Sequence, residues 1–204
     1  MKLLLTSDGF TTPEIAYEFL ELVGKPASDI RLGVVVPNAI ESEIELYYYN
    51  LHMDIFSQVG LLKQNIQVIN LEEKLIYKLL EGMDAIFICG GNTYYILSKM
   101  RQFGFNKYVR QYIERGGVYI GESAGSIIAG PNIEVTALCG DINNICLEDL
   151  TGLGFIDTAI LPHFEEKQNN DVKEFKSRVN YPVVTLSDSQ AMLIIDNKEK
   201  IIGS

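Results

Sequence analysis

The chemistry-bearing residues of this chain centre on Gly121-Glu122-Ser123-Ala124-Gly125, which follows the apolar run Val118-Tyr119-Ile120 and precedes Ser126-Ile127-Ile128-Ala129. Gly-x-Ser-x-Gly between a strand and a helix is the pattern of a nucleophile elbow. In such a turn a strained backbone holds a serine hydroxyl out above the end of a sheet. A serine presented in this way attacks a carbonyl, provided that a base, an orienting carboxylate and donors for the oxyanion stand nearby. The pentapeptide alone is weak evidence, because average glycine and serine usage produces it in about one chain of this length in ten. Its possible partners must decide.

The chain has two histidines. His163, in Leu161-Pro162-His163-Phe164, directly follows the candidate strand Phe155 to Leu161 and is the candidate base, since imidazole titrates near neutral pH. His52 falls inside a helical stretch with no glycine or strand end beside it, and reads as a structural or surface residue. Two aspartates could orient the base. Asp188 follows the strand Val183 to Leu186 and is preferred; Asp141 lies on the connection between the elbow helix and the histidine strand. Either could be a turn former. Gly90-Gly91-Asn92-Thr93 closes another apolar strand, so the Gly91 amide together with that of Ala124 could form an oxyanion hole. The bland alternative is a strand-to-helix turn capped by Asn92 or Thr93. Asn92 and Glu122 are taken as substrate contacts, Glu122 as a residue touching substrate or solvent. Tyr47-Tyr48-Tyr49 reads as a helix face packed on the core or lining a pocket rim, and Asp8-Gly9 as a turn.

These residues need elements to hold them. Strands are expected at Leu3 to Thr6, Arg31 to Val36 (ended by Pro37-Asn38), Ile66 to Ile69, Ala85 to Cys89, Val118 to Ile120, Ile133 to Leu138, Phe155 to Leu161, Val183 to Leu186, Met192 to Ile195 and Lys200 to Ile202. Helical patterns cover Pro13 to Val23, with Thr12 capping, Glu41 to Gly60, Leu71 to Leu80, Thr93 to Arg101, Lys107 to Arg115 and Glu165 to Val179. Buried strands alternating with helices predict an α/β fold, a mainly parallel sheet flanked by helices on both faces, with the last strands antiparallel around Asp196-Asn197. Ligands in such folds gather beyond the carboxyl ends of the strands, where several of these motifs fall.

Composition narrows the class. At 204 residues the chain is read as one domain, 1–204. The net charge of −10 and the lack of a basic cluster exclude nucleic acid and an anionic membrane as partners. No apolar run approaches the roughly 20 residues of a membrane span. Cys89, Cys139 and Cys146, without Cys-x-x-Cys spacing, read as small buried or half-buried hydrophobes in a reducing, cytoplasmic setting.

Taken together, Gly90-Gly91-Asn92-Thr93, Gly121-Glu122-Ser123-Ala124-Gly125 and Pro162-His163-Phe164 resemble, in order and spacing, the motifs of peptidase E (α-aspartyl dipeptidase) and its relative cyanophycinase. The resemblance runs from Lys2 to about Ile195. It implies a class I glutamine amidotransferase-like three-layer sandwich, with Ser123 as nucleophile, His163 as base, Gly91 and Ala124 as oxyanion amides, and Asp188 or Asp141 as the acidic partner. The activity it implies is serine-type hydrolysis of short peptides, N-terminal aspartyl (Asp-x) dipeptides above all, without metal or cofactor, by a cytoplasmic enzyme that could pair as a homodimer. One departure stands out. The basic residue that the dipeptidases use for the aspartyl carboxylate has no clear counterpart in Glu165-Glu166-Lys167-Gln168-Asn169-Asn170-Asp171, which leaves Lys167 or Arg178 for that role. The rival readings are an α/β-hydrolase-type esterase, which shares the elbow, and a non-catalytic ligand-binding protein on the same fold.

Overall fold

The computed structural model describes residues 1–36, 42–71, 76–196 and 198–204, for Ile76 and Tyr77 the backbone alone. The elements run β1 (Lys2–Thr6), α1 (Pro13–Val23), β2 (Leu32–Val36), α2 (Glu43–Val59), β3 (Ile66–Asn70), α3 (Ile76–Leu80), β4 (Ala85–Ile88), α4 (Thr93–Gln102), α5 (Phe105–Glu114), β5 (Val118–Glu122), α6 (Ala124–Ala129), β6 (Ala159–Leu161), α7 (Asn169–Arg178), β7 (Val183–Thr185), β8 (Ala191–Ile195) and β9 (Lys198–Ile202). The expected Pro37-Asn38 stop, the start at Glu41, residues 72–75 and the turn residue Asn197 lie outside the described residues.

Seven strands form one sheet in the order β3-β2-β4-β5-β1-β8-β9. The first five in that order are parallel, and β8 and β9 add antiparallel at one edge. Pleating sends alternate residues to opposite faces. Leu3 and Leu5 of β1, Ile86 and Ile88 of β4 and Tyr119 of β5 join one core with α4, α5 and α6. Leu4, Phe87 and Ile120 join the other with α1 and α2. The result is the three-layer α/β arrangement expected.

Register matters most for function. Thr6 of β1 pairs with Glu122 of β5, and Ile88 of β4 with Gly121. The three central strands therefore end level with one another, so the loops opening at Ser7, Cys89 and Ser123 leave the sheet side by side. The histidine arrives differently. Strands β6 and β7 pair with each other in a separate two-stranded parallel sheet, and only Ala159–Leu161 of the expected longer strand is extended.

Local signals account for several helices. Thr12 accepts from the Ile15 N–H at the start of α1, and Ser42 with Glu45 forms a capping box on α2. Contrary to expectation, Ile133 to Leu138 is not a strand, and Glu134–Cys139 forms a 3₁₀ helix. Its β-branched residues favour a strand, but its amides are satisfied locally, Thr136 N–H by Ile133 O and Gly140 N–H by Ala137 O. Tyr47 and Tyr48 are exposed rather than packed on the core. Cys89 is buried, whereas Cys139 and Cys146 are exposed; all three thiols are free. Among the described residues no helix is long and apolar enough to cross a membrane.

Helix α2 is clamped to the sheet through an aromatic cluster in which Phe56 packs on Phe87 and Phe10 at ring separations of 5.2 and 6.0 Å. Phe56 is fully buried. Phe56→Ala is expected to lower stability by about 3–5 kcal/mol, read from urea unfolding.

Candidate active site

The elbow is built on glycine because backbone passes where side chains would sit. A Cβ on Gly121 would lie 2.6 Å from the Gly125 carbonyl carbon, and one on Gly125 would lie 2.4 Å from the Ile88 carbonyl oxygen. Between them Ser123 takes φ 49° and ψ −108°, a conformation that costs a non-glycine residue about 1–3 kcal/mol. Ser126 holds the turn from below, its hydroxyl donating to the carbonyls of Thr6 and Gly121 at 2.7 and 2.8 Å. The Ser123 N–H donates to Thr6 O at 3.2 Å. Thus β1 supports the turn that β5 enters.

His163 also has a positive φ, 53°. Its backbone N–H donates to Ser7 Oγ at 2.7 Å, which ties the end of β6 to the loop after β1. Its ring Nε2 lies 2.9 Å from Ser123 Oγ, and Nδ1 lies 2.7 Å from Asp188 Oδ1. Ser7 Oγ is also 3.3 Å from Asp188 Oδ1. Ser123, His163 and Asp188 form a continuous hydrogen-bonded chain from three separate parts of the sequence. The order in which groups meet is that of a serine nucleophile, its base and the carboxylate that orients the base.

Asp141 lies elsewhere. Its Oδ2 accepts from the Thr93 N–H at 2.8 Å and the Thr136 hydroxyl at 2.7 Å, so it secures the start of α4. Asn92 is the cap of that helix, accepting from the Tyr95 N–H and donating to Ile142 O, so both ends of its amide are engaged within the protein. Lys167 is exposed and pairs with Glu165 at 2.6 Å. Ala124 is the first residue of α6, and Gly91 takes φ 132° in the loop leaving β4. A Cβ on the neighbouring Gly90 would lie 3.4 Å from Ser123 Cβ, which brings the two loops together beside the hydroxyl.

Glu122 departs from the expectation of a group facing substrate or solvent. It is 8% exposed, accepts from the Gly90 N–H at 2.9 Å and meets His52 Nε2 at 2.9 Å. Even positions on β5 point away from the α6 side, so the side chain goes to the face that α2 covers. His52 accordingly reaches the side chain next to Ser123, a contact that its helical context concealed. Its spacing from Phe56, one turn on, was the available signal, since that fixes its face toward the sheet. His52, Cys89 and Glu122 bring their ligand atoms within 4.8 Å of one another. The His52 nitrogen stands at hydrogen-bond distance from both carboxylate oxygens, however, and burial and then the Glu122 charge push the Cys89 thiol well up. The geometry is that of a proton-sharing pair beside a neutral thiol.

The model of peptidase family S51 matches residues 3–202. The chain belongs to peptidase family S51. It is thus a peptidase, a hydrolase of peptide bonds. Among its relatives, an uncharacterised peptidase of Pasteurella multocida is 27% identical over 173 residues, covering 82% of each chain. Peptidase E of Salmonella arizonae is 29% identical over 169 residues, covering 80% of this chain and 69% of its own. A Listeria monocytogenes crystal structure assigned to peptidase E has the same fold, with a TM-score of 0.80 at 23% identity over 100% of this chain and 98% of that one.

In this S51 peptidase Gly125 touches main chain rather than a movable side chain. Gly125→Ala is expected to cost about 1–3 kcal/mol in urea unfolding, and to slow reaction of Ser123 with a fluorophosphonate because the turn must open. Unchanged stability and labelling would show that the turn has slack.

Proposed function

We propose that this S51 peptidase cleaves short peptides by acyl-enzyme chemistry at Ser123. The observation that carries the reading is the unbroken contact series Ser123 Oγ, His163 Nε2, His163 Nδ1, Asp188 Oδ1, with both contacts under 3 Å. Ser123 attacks the scissile carbonyl while its proton passes to His163 Nε2, and Asp188 holds the ring by its Nδ1–H and balances the imidazolium. The amides of Gly91 and Ala124 receive the oxyanion. Collapse expels the amine, which takes the proton from His163, and water then releases the acid by the same steps in reverse order.

Aspartyl dipeptides are the substrates we propose to test first, supported by the relatives named peptidase E. The surroundings of Ser123 argue for a reader of the aspartyl group other than Lys167, whose ammonium is engaged by Glu165. Asp8, Glu122 and Asp188 make this end of the sheet acidic, and the Asp8 carboxyl is raised by burial and by the charges of Glu122 and Asp188. Its free thiols favour the cytoplasm as the place of action.

The test is hydrolysis of an aspartyl p-nitroanilide and a panel of dipeptides. Ser123→Ala is expected to lose about 10⁴ or more in turnover, and equal turnover by the variant would sink the mechanism. Ester cleavage with no amide cleavage would favour the esterase reading, and no reaction of wild type with a fluorophosphonate the non-catalytic one. Asp188→Asn is expected to lower turnover by about 10⁴. Asp141→Asn is expected to act on stability by about 1 kcal/mol and to leave most of the turnover in place. The reverse ranking would move the acidic role to Asp141.

A further inference from the structure

Both ring nitrogens of His52 face oxygen acceptors. Nδ1 lies 2.9 Å from the Tyr48 carbonyl, and Nε2 lies 2.9 Å from each oxygen of Glu122. A carbonyl and an ionised carboxylate accept but do not donate. A neutral imidazole has one N–H, so it would leave one of these contacts as two lone pairs facing each other. The pair must therefore hold one proton more than a neutral histidine and a carboxylate supply. His163 is the contrast. Its Nδ1 meets the Asp188 carboxylate, but its Nε2 meets a hydroxyl that can donate, so a neutral ring satisfies both contacts.

From this difference we infer that His52 is an imidazolium that acts as a positioning residue for the reaction, setting the oxyanion loop through Glu122. The inference rests on reading Ser123 as the nucleophile and Gly91 as an oxyanion donor. Glu122 spans the two loops that must cooperate. It precedes Ser123 on β5, and its Oε2 accepts the N–H of Gly90, the residue before Gly91. Neither glycine has a side chain to anchor the loop, and the carboxylate holds it by the Gly90 amide, one peptide before the Gly91 N–H. The His52 and Glu122 side chains are 12% and 11% exposed. A carboxylate this buried is held by the charge of its partner, and its hold weakens when that partner goes neutral.

Among the described residues, the groups facing His52 come from four elements. They are Glu122 of β5, Asp8 of the loop after β1, the Cys89 thiol at the end of β4 and the Tyr48 carbonyl of its own helix, with the Phe56 and Phe87 rings at 5.9 and 5.6 Å. Burial opposes the charge on His52, but the hydrogen bond and the charge of Glu122, then Tyr48 and Asp8, outweigh it and raise its pKa. The thiol adds no competing charge. A histidine with a raised folded pKa contributes fully below its unfolded value of about 6.5, and the contribution is lost as pH rises through the folded one. The loop should therefore loosen on the alkaline side.

Two measurements test this together. With ring-¹⁵N histidine, the two histidines are assigned by His52→Gln. At about pH 7 His52 is expected to show both nitrogens protonated. In Glu122→Gln it is expected to carry a single ring proton, because the amide can donate to Nε2 while its oxygen still accepts from Gly90. In parallel, the rate of Ser123 phosphonylation by a fluorophosphonate is followed from about pH 6 to about pH 10. Wild type is expected to slow on the alkaline side as His52 loses its proton, and Glu122→Gln to lack that fall. His52→Ala, checked for folding by circular dichroism, is expected to slow labelling by at least about tenfold and by no more than the roughly 10²–10³ of losing one oxyanion donor outright. A neutral His52 in wild type at about pH 7, or alkaline limbs that coincide in wild type and Glu122→Gln, would overturn the inference alone. Wild type that never labels at Ser123 would overturn both it and the proposed function.

Discussion

Everything at this site depends on main chain packing against main chain beneath Ser123. Gly125 lies against the Ile88 carbonyl and Gly121 against Gly125, with distances that exclude a methyl group. That contact presses the start of α6 onto the ends of β4 and β5. It is what sustains a serine at φ 49°. The strain is offset by bonds that a looser turn could not make, among them the Ser126 hydroxyl shared between Thr6 and Gly121 and the Tyr119 hydroxyl donating to Gly125 O at 2.6 Å. Once the turn is set, the Ala124 amide, the serine hydroxyl and the loop through Gly90 and Gly91 occupy one small region.

The register of the sheet turns that local turn into a site. Because β1, β4 and β5 end level, Ser7 reaches His163 and Asp188, Gly90 reaches Glu122, and Ser123 stands between them. Two histidines then converge from opposite directions, His163 from the small β6–β7 sheet and His52 from α2. Their hydrogen bonds differ. One ring has a nitrogen open to a proton from a hydroxyl, and the other stands between two acceptors. The carboxylates Asp188 and Glu122 divide in the same way, the first meeting the His163 ring and the second meeting the His52 ring and the Gly90 amide.

Much of this was legible in the sequence. The apolar strand runs, the cap at Thr12 and the glycine pattern around Ser123 are local, and each has a local cause. His163 and Asp188 stood out because each lies shortly after a strand. What stayed hidden depended on tertiary placement. Glu122 was read by its charge as a solvent or substrate contact, yet the alternation of β5 sends it under α2, where His52 meets it. His52 itself lies 70 residues away in sequence, and no short-range pattern announces the pair. Ile133 to Leu138 misled for a related reason, since strand propensity says nothing about whether a neighbouring strand edge is within reach. Asp141 resembled a triad member because chain order placed it before His163, while its hydrogen bonds commit it to Thr93 and Thr136.

The central claim is that Ser123 and the amides of Gly91 and Ala124 act on the same carbonyl. A crystal structure with a small peptidyl boronic acid tests it directly. The account predicts boron bonded to Ser123 Oγ, with one boronate oxygen about 2.7–3.1 Å from both amide nitrogens. A boronate bonded to another residue, or one bonded to Ser123 with its oxygens turned away from Gly91 and Ala124, would contradict it.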